Sequence, residues 1–107
     1  AYYNKAIQVR DVISADFAKA FEEVDLIATP TTPSPAFKIG EKSNDPLSMY
    51  LADIFTVSAN IAGIPGISVP SGFSSVAGKK LPLGIQFMAS HGGEKTLFEV
   101  GETFFEI

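Results

Sequence analysis

Between residues 46 and 78 the sequence holds a single formally charged side chain, Asp53. It sits within an apolar stretch, residues 47–62, that reads as a helix. Thr56 and Asn60 follow at i+3 and i+7, which puts three polar side chains on one helical face. A lone carboxylate on a largely buried helix is costly unless it has a partner. Three fates are open to it. It can be a structural acid bonded to backbone groups, the commonest fate of a buried carboxylate. It can be half of a salt bridge. Or it can recognise a cationic group on a ligand, because perturbed carboxylates gather at functional sites.

Other groups that could do chemistry fall short of a motif. Gly72 and Gly78, followed by Lys79, resemble a phosphate loop. One residue too many separates the glycines, and Lys80 stands where Ser or Thr should meet magnesium. The stretch from Gly72 to Val76 lacks the second glycine of a nucleophile elbow. Ser58, Ser68, Ser71, Ser74 and Ser75 have no histidine nearby in sequence. His91, flanked by glycines, reads as a solvated turn residue, and Lys79 and Lys80 as solubilising. No catalytic residue is assigned.

Composition narrows the classes further. There is no cysteine and one histidine, so a disulfide scaffold, a thiolate metal site and a multi-histidine metal site are all excluded within these residues. The net charge is −4, from 8 basic and 12 acidic side chains, which argues against direct grip on a phosphate backbone. At 46% hydrophobic and a mean hydropathy of +0.21, the 107 residues are not disordered. They are rather too apolar for so small a domain, as a piece cut from a larger fold would be. The first residue, Ala1, fits an excised or processed segment. No uninterrupted apolar run has membrane-spanning length and no secretory segment opens the chain, so no membrane role is expected and a cytoplasmic location is.

The elements that must position Asp53 follow from periodicity. Residues 2–23 predict an amphipathic packing helix, with Ala6, Val9, Ile13, Phe17, Ala20 and Val24 as its stripe. Lys19 and Glu23 are spaced to pair on its surface. Residues 24–29 predict a short buried strand. Pro30, Pro33 and Pro35 then impose an extended connector, which as a loop after a strand could also wall a cleft. Residues 37–45 read as a polar loop. Asp45 and Pro46 have the types of an N-cap and a first helical residue, and Gly63 the type of a helix stop. The helix between them is apolar all round, as in a helix buried inside something bigger. Pro65 and Gly66 predict a turn, residues 66–70 a strand, and 71–80 a flexible, hairpin-like connection. Residues 83–89 predict a third strand, apolar throughout apart from Gln86, with Gly84 marking a bulge or a close backbone approach. A turn at 91–93 leads to a closing helix over 94–106, with Leu97, Val100, Phe104 and Phe105 inward.

Several runs carry a family resemblance. DIFTVSANIAGIPGISVPSGF at 53–73 and LPLGIQFMAS at 81–90 resemble the C-terminal part of the amidase signature family. The opening YYNKAIQVR and the stretch VDLIATPTTPSPAF, with IGE just beyond, fit as well. The spacing of asparagine, glycine and proline at 60–70 is shared widely across amidases. DIFT and PTTPSPAF point more narrowly, to the A subunits of tRNA-dependent amidotransferases.

That resemblance implies an α/β fold, a mixed β-sheet flanked by helices, with residues 1–107 forming the C-terminal segment of a single amidase domain. It implies glutamine hydrolysis by a serine nucleophile, a second serine and a lysine, all carried upstream in a glycine- and serine-rich signature that is absent here. It implies that Asp53 holds the α-ammonium of glutamine, with Thr56 and Asn60 as supporting polar groups. The implied partners are the B and C subunits, with tRNA bound mainly through a partner. ATP and magnesium would be used by a partner subunit, with no cofactor in these residues. Two rivals stand beside this: another amidase acting on an apolar amide, which an acid at position 53 disfavours, and a non-catalytic docking module.

Overall fold

The computed structural model describes residues 1–41 and 45–105, the last by its backbone alone. Among these residues seven elements follow in order. They are α1 (Tyr2–Ala20), β1 (Ile27–Pro30), α2 (Pro46–Leu51), α3 (Val57–Ala62), β2 (Gly66–Val76), β3 (Lys79–Met88) and α4 (Glu94–Phe105). The class is α/β: a three-stranded sheet, order β1-β3-β2, flanked by helices, with both pairings antiparallel.

Strand alternation gives the sheet two unlike faces. Ile67, Val69, Ile85 and Phe87 lie on one face, which α4 covers with Leu97, Val100 and Phe104. Val69 is only 2% exposed, and the Phe87 and Phe104 rings meet at 5.2 Å between centroids. Gly101 lets the helix come close, since a Cβ there would stand 3.1 Å from Ile67 Cδ1. The inward positions expected for α4 are therefore correct at Leu97, Val100 and Phe104. The side chain of Phe105, and Glu106, lie outside the described residues.

Several boundaries differ from the sequence expectation, each for a physical reason. α1 ends at Ala20, and the Val24 amide caps it by bonding the Ala20 carbonyl at 3.2 Å. Residue 24 is thereby taken from the strand, and β1 starts only at Ile27. Among the described residues Lys19 and Glu23 form no ion pair. β1 includes Pro30, which an edge strand tolerates because its missing N–H can face away from the ladder. Pro65 and Gly66 make no turn: the Pro65 carbonyl accepts the Ala89 amide at 3.1 Å and Gly66 already opens β2. Residues 71–80 are not a flexible connection. β2 and β3 pair from Gly66 opposite Met88 to Val76 opposite Lys79, with a bulge between Pro70 and Gly72. Only Ala77 and Gly78, both at positive φ, turn the chain.

The apolar helix expected over 46–62 starts and stops where its caps predict. The Asp45 carboxylate accepts from the Ser48 amide at 3.2 Å and from its hydroxyl at 2.7 Å, and Pro46 is the first helical residue. Gly63 closes the other end in the left-handed region, at φ 70°. Between these ends the helix is not continuous, and most of it is exposed rather than buried: Leu47 is 66% exposed and Tyr50 70%. Ala59 and Ala62 are its buried residues. Of the polar loop at 37–45, Lys42, Ser43 and Asn44 lie outside the described residues.

Candidate functional site

The break falls at residues 52–56, which run in successive turns. The Asp53, Ile54 and Thr56 amides each bond a carbonyl three residues back, at 3.2, 3.3 and 3.0 Å. Ile54, Thr56 and Val57 are β-branched and Phe55 is aromatic, so this stretch holds an α-helix weakly. The Thr56 hydroxyl adds to the break by donating to the Asp53 carbonyl at 3.2 Å.

Asp53 therefore sits on a turn and is exposed, not on a buried helical face. Its backbone is well held: its carbonyl accepts from the Thr56 amide, the Val57 amide at 3.1 Å and the Thr56 hydroxyl. Among the described residues no donor or basic group pairs with its carboxylate. The expected costs of a buried lone acid do not arise, and the carboxylate is open to an external partner. Thr56 and Asn60 do not share a continuous helical face with it. The Asn60 amide nitrogen donates to the Thr56 carbonyl at 3.0 Å. Both side chains thus stabilise the turn from which Asp53 projects.

Beneath this turn lies the polar face of the sheet. Register places Thr29 on β1 and Ser68 on β2 opposite the same residue, Gln86 of β3. Gln86 is 6% exposed, and its Nε2 donates to the Thr29 hydroxyl at 3.0 Å and to the Phe55 carbonyl at 2.7 Å. The second bond ties the Asp53 turn to the central strand. The sequence marks Gln86 as the lone polar side chain in an apolar run, the signal that also singles out Asp53, but assigns it no role. Two residues back along β3, Gly84 sits under a hydrogen bond between the Thr31 and Ser68 hydroxyls, 2.7 Å long. A Cβ on Gly84 would stand 2.9 Å from each oxygen, so what comes close here is a pair of side chains rather than a neighbouring backbone, and the bulge lies on the partner strand between Pro70 and Gly72.

The proline-rich connector does wall a groove, of about 510 Å³. Thr32, Pro33 and Pro35 line it across from Ser71, Ser74 and Leu83, and the Thr32 hydroxyl braces the wall by donating to the Ser34 carbonyl at 2.8 Å. Asp53 is not among its lining residues, so these two features are not brought together. Asn60 instead lines a separate groove of about 580 Å³ against α1. Among the described residues no acid or histidine cluster could hold a metal, and no helix is long and apolar enough to cross a membrane. No serine there bonds a histidine or lysine, and His91 is exposed in its turn.

The site is thus framed by a sheet backed by α4 on its apolar face, with the DIFT turn pinned over its polar face. A family model described as Amidase matches residues 1–98, and the chain belongs to the amidase family. Within it, the chain is similar to the A subunit of glutamyl-tRNA(Gln) amidotransferase. It is 61% identical over 102 residues to that protein from Acidobacterium capsulatum, covering 95% of the chain and 21% of the relative. With Syntrophus aciditrophicus the identity is 55% over 104 residues, covering 97% and 21%. With Methylobacillus flagellatus it is 50% over 108 residues, covering 100% and 22%. The chain thus spans about a fifth of the length of these relatives.

Proposed function

We propose that this chain is the C-terminal segment of the glutaminase subunit of a tRNA-dependent amidotransferase, and that it supplies the residue selecting glutamine. The observation that carries the reading is Asp53: an exposed carboxylate on a residue whose carbonyl accepts three hydrogen bonds, within a chain highly similar to the amidotransferase A subunits. A carboxylate so placed can accept charge-assisted hydrogen bonds from an α-ammonium. Thr56 and Asn60 support it by holding the turn. The serine nucleophile, its partner serine and the lysine lie in the remainder of the full-length protein. The glutaminase releases ammonia, which passes to the partner that amidates Glu-tRNA(Gln) or Asp-tRNA(Asn). The B and C subunits complete this cytoplasmic complex, and ATP and magnesium are used there.

The shape of the chain supports its being part of a larger fold. Its extents are 46 × 39 × 17 Å and its radius of gyration is 16.2 Å, against about 13 Å for a compact domain of similar length. The exposed apolar side chains of α2 and α3 would then face the rest of the full-length protein. The test compares kcat/KM for glutamine and for a small amide lacking an α-ammonium, in the full-length protein and its Asp53→Asn variant. A loss confined to glutamine is expected. Equal losses on both substrates would show that Asp53 is structural.

A further inference from the structure

We infer that Gln86 is a positioning residue for the ligand-facing turn: its side-chain amide latches residues 52–56 onto the sheet and so sets where Asp53 stands. The inference rests on the reading of Asp53 as the ammonium-binding group.

Chemistry fixes the orientation of the Gln86 amide. Its two contacts, the Phe55 carbonyl at 2.7 Å and the Thr29 hydroxyl at 3.0 Å, are both made by Nε2. A carbonyl can only accept, so the group facing Phe55 must be the donor. Each of the two amide hydrogens has one acceptor. Gln86 is also the one buried polar or charged residue among those described, where a hydrogen bond is shielded from competing water. Its effect on the backbone is direct. In a continuous helix the Phe55 carbonyl would accept the amide of residue 59. Here it accepts Gln86, across 31 residues of sequence, at the point where α2 and α3 part. Asp53 lies two residues before that carbonyl, and its own carbonyl accepts from Thr56 and Val57 just after it. Releasing Phe55 therefore loosens the segment that carries Asp53, without touching its carboxylate.

The test uses the full-length protein and the variant Gln86→Met, which keeps the length of the side chain and removes both donors. Thr29→Val is the control: it removes the lesser contact and leaves the Phe55 bond. In Gln86→Met the Thr56 and Val57 amides should exchange with deuterium about tenfold faster, the scale set by losing one shielded hydrogen bond. KM for glutamine should rise about three- to tenfold on the same scale, with kcat less affected and an ammonium-free amide hydrolysed as before. Thr29→Val should stay near wild type on each reading. Unchanged exchange at Thr56 and Val57 in Gln86→Met would overturn the latch. So would equal losses on both substrates with a lowered melting temperature, the mark of a purely structural glutamine. Should Gln86→Met not fold, the wild-type protein still decides: the Gln86 side-chain amide protons should exchange slowly, and exchange at the rate of a solvated amide would rule the latch out. Exchange reads the turn without reference to glutamine. Fast exchange in Gln86→Met with unchanged glutamine selection in Asp53→Asn would therefore overturn the site assignment, and with it the positioning role, while leaving the latch itself standing.

Discussion

The hydroxyls of Thr31 and Ser68 meet at 2.7 Å across the central strand, directly over Gly84. They join the end of β1 to β2 without passing through the β3 backbone, and the Thr31 amide adds a bond to the Gly84 carbonyl at 3.1 Å. A methyl group on Gly84 would stand 2.9 Å from each hydroxyl oxygen. Gly84→Ala should therefore push the two apart and destabilise by about 1–3 kcal/mol, the usual cost of overpacking. Adding Ser68→Ala should return part of that loss, because it removes one of the two clashing atoms. Urea denaturation of the single and double variants checks both signs.

Asp53→Asn should leave the fold nearly unchanged, because the side chain makes no hydrogen bond among the described residues and the amide is almost isosteric. On the proposed role of Asp53, and with charge-assisted hydrogen bonds worth about 1.5–3 kcal/mol, selection of glutamine by the full-length protein should weaken about ten- to a hundredfold. Steady-state kinetics on both substrates, run beside a melting curve, separate loss of charge from loss of structure.

The 107 residues expressed alone should hydrolyse no glutamine, since no serine among the described residues has a basic partner. They should also associate or bind a hydrophobic dye. Leu47, Tyr50, Leu51, Ile54 and Val57 are all exposed along α2 and into the start of α3, and apolar surface of that kind marks an interaction face. Light scattering and dye fluorescence give the second answer; a dye-silent monomer would contradict it.

Ala77 turns the β2–β3 hairpin at φ 51°. An L-residue with a Cβ pays steric strain there that glycine does not. Ala77→Gly should stabilise by about 0.5–1 kcal/mol, the strain relieved less the extra freedom gained by the unfolded chain. The tip is remote from Asp53 in sequence and in the ladder, so glutamine kinetics should not change. Thermal melting in parallel with activity checks the pair of expectations.

How much of this was legible in the sequence depends on whether the deciding interaction is local. Asp45 and Pro46 announce the start of α2 because a cap bonds its own next turn, and Gly63 announces the stop of α3 for the same reason. The break between them was legible only in part: the β-branched Ile54, Thr56 and Val57 weaken a helix locally, but the bond that pins the turn to the sheet comes from Gln86 of β3, far along the chain. Asp53 drew attention as the only charge in its region, yet its exposure follows from that break and so escaped the same reasoning. The hairpin tells a similar story. Gly72, Ser74 and Ser75 have loop-like composition, but Ser74 pairs with Leu81 and Ser75 with Lys80, and strand character there comes from the partner rather than from propensity.

Pro30 and Pro70 sit on the two outer strands of the sheet, β1 and β2, and β2 also bulges beside Pro70. A proline has no N–H to offer, and a bulge breaks the even spacing that a further strand would need. Neither border of the sheet therefore presents a long, regular row of free amides. A second copy of the chain meeting either border would find its pairing interrupted after a few residues. These edges are poor templates for strand-by-strand polymerisation, a safeguard that matters most for a segment whose helices leave so much apolar surface uncovered.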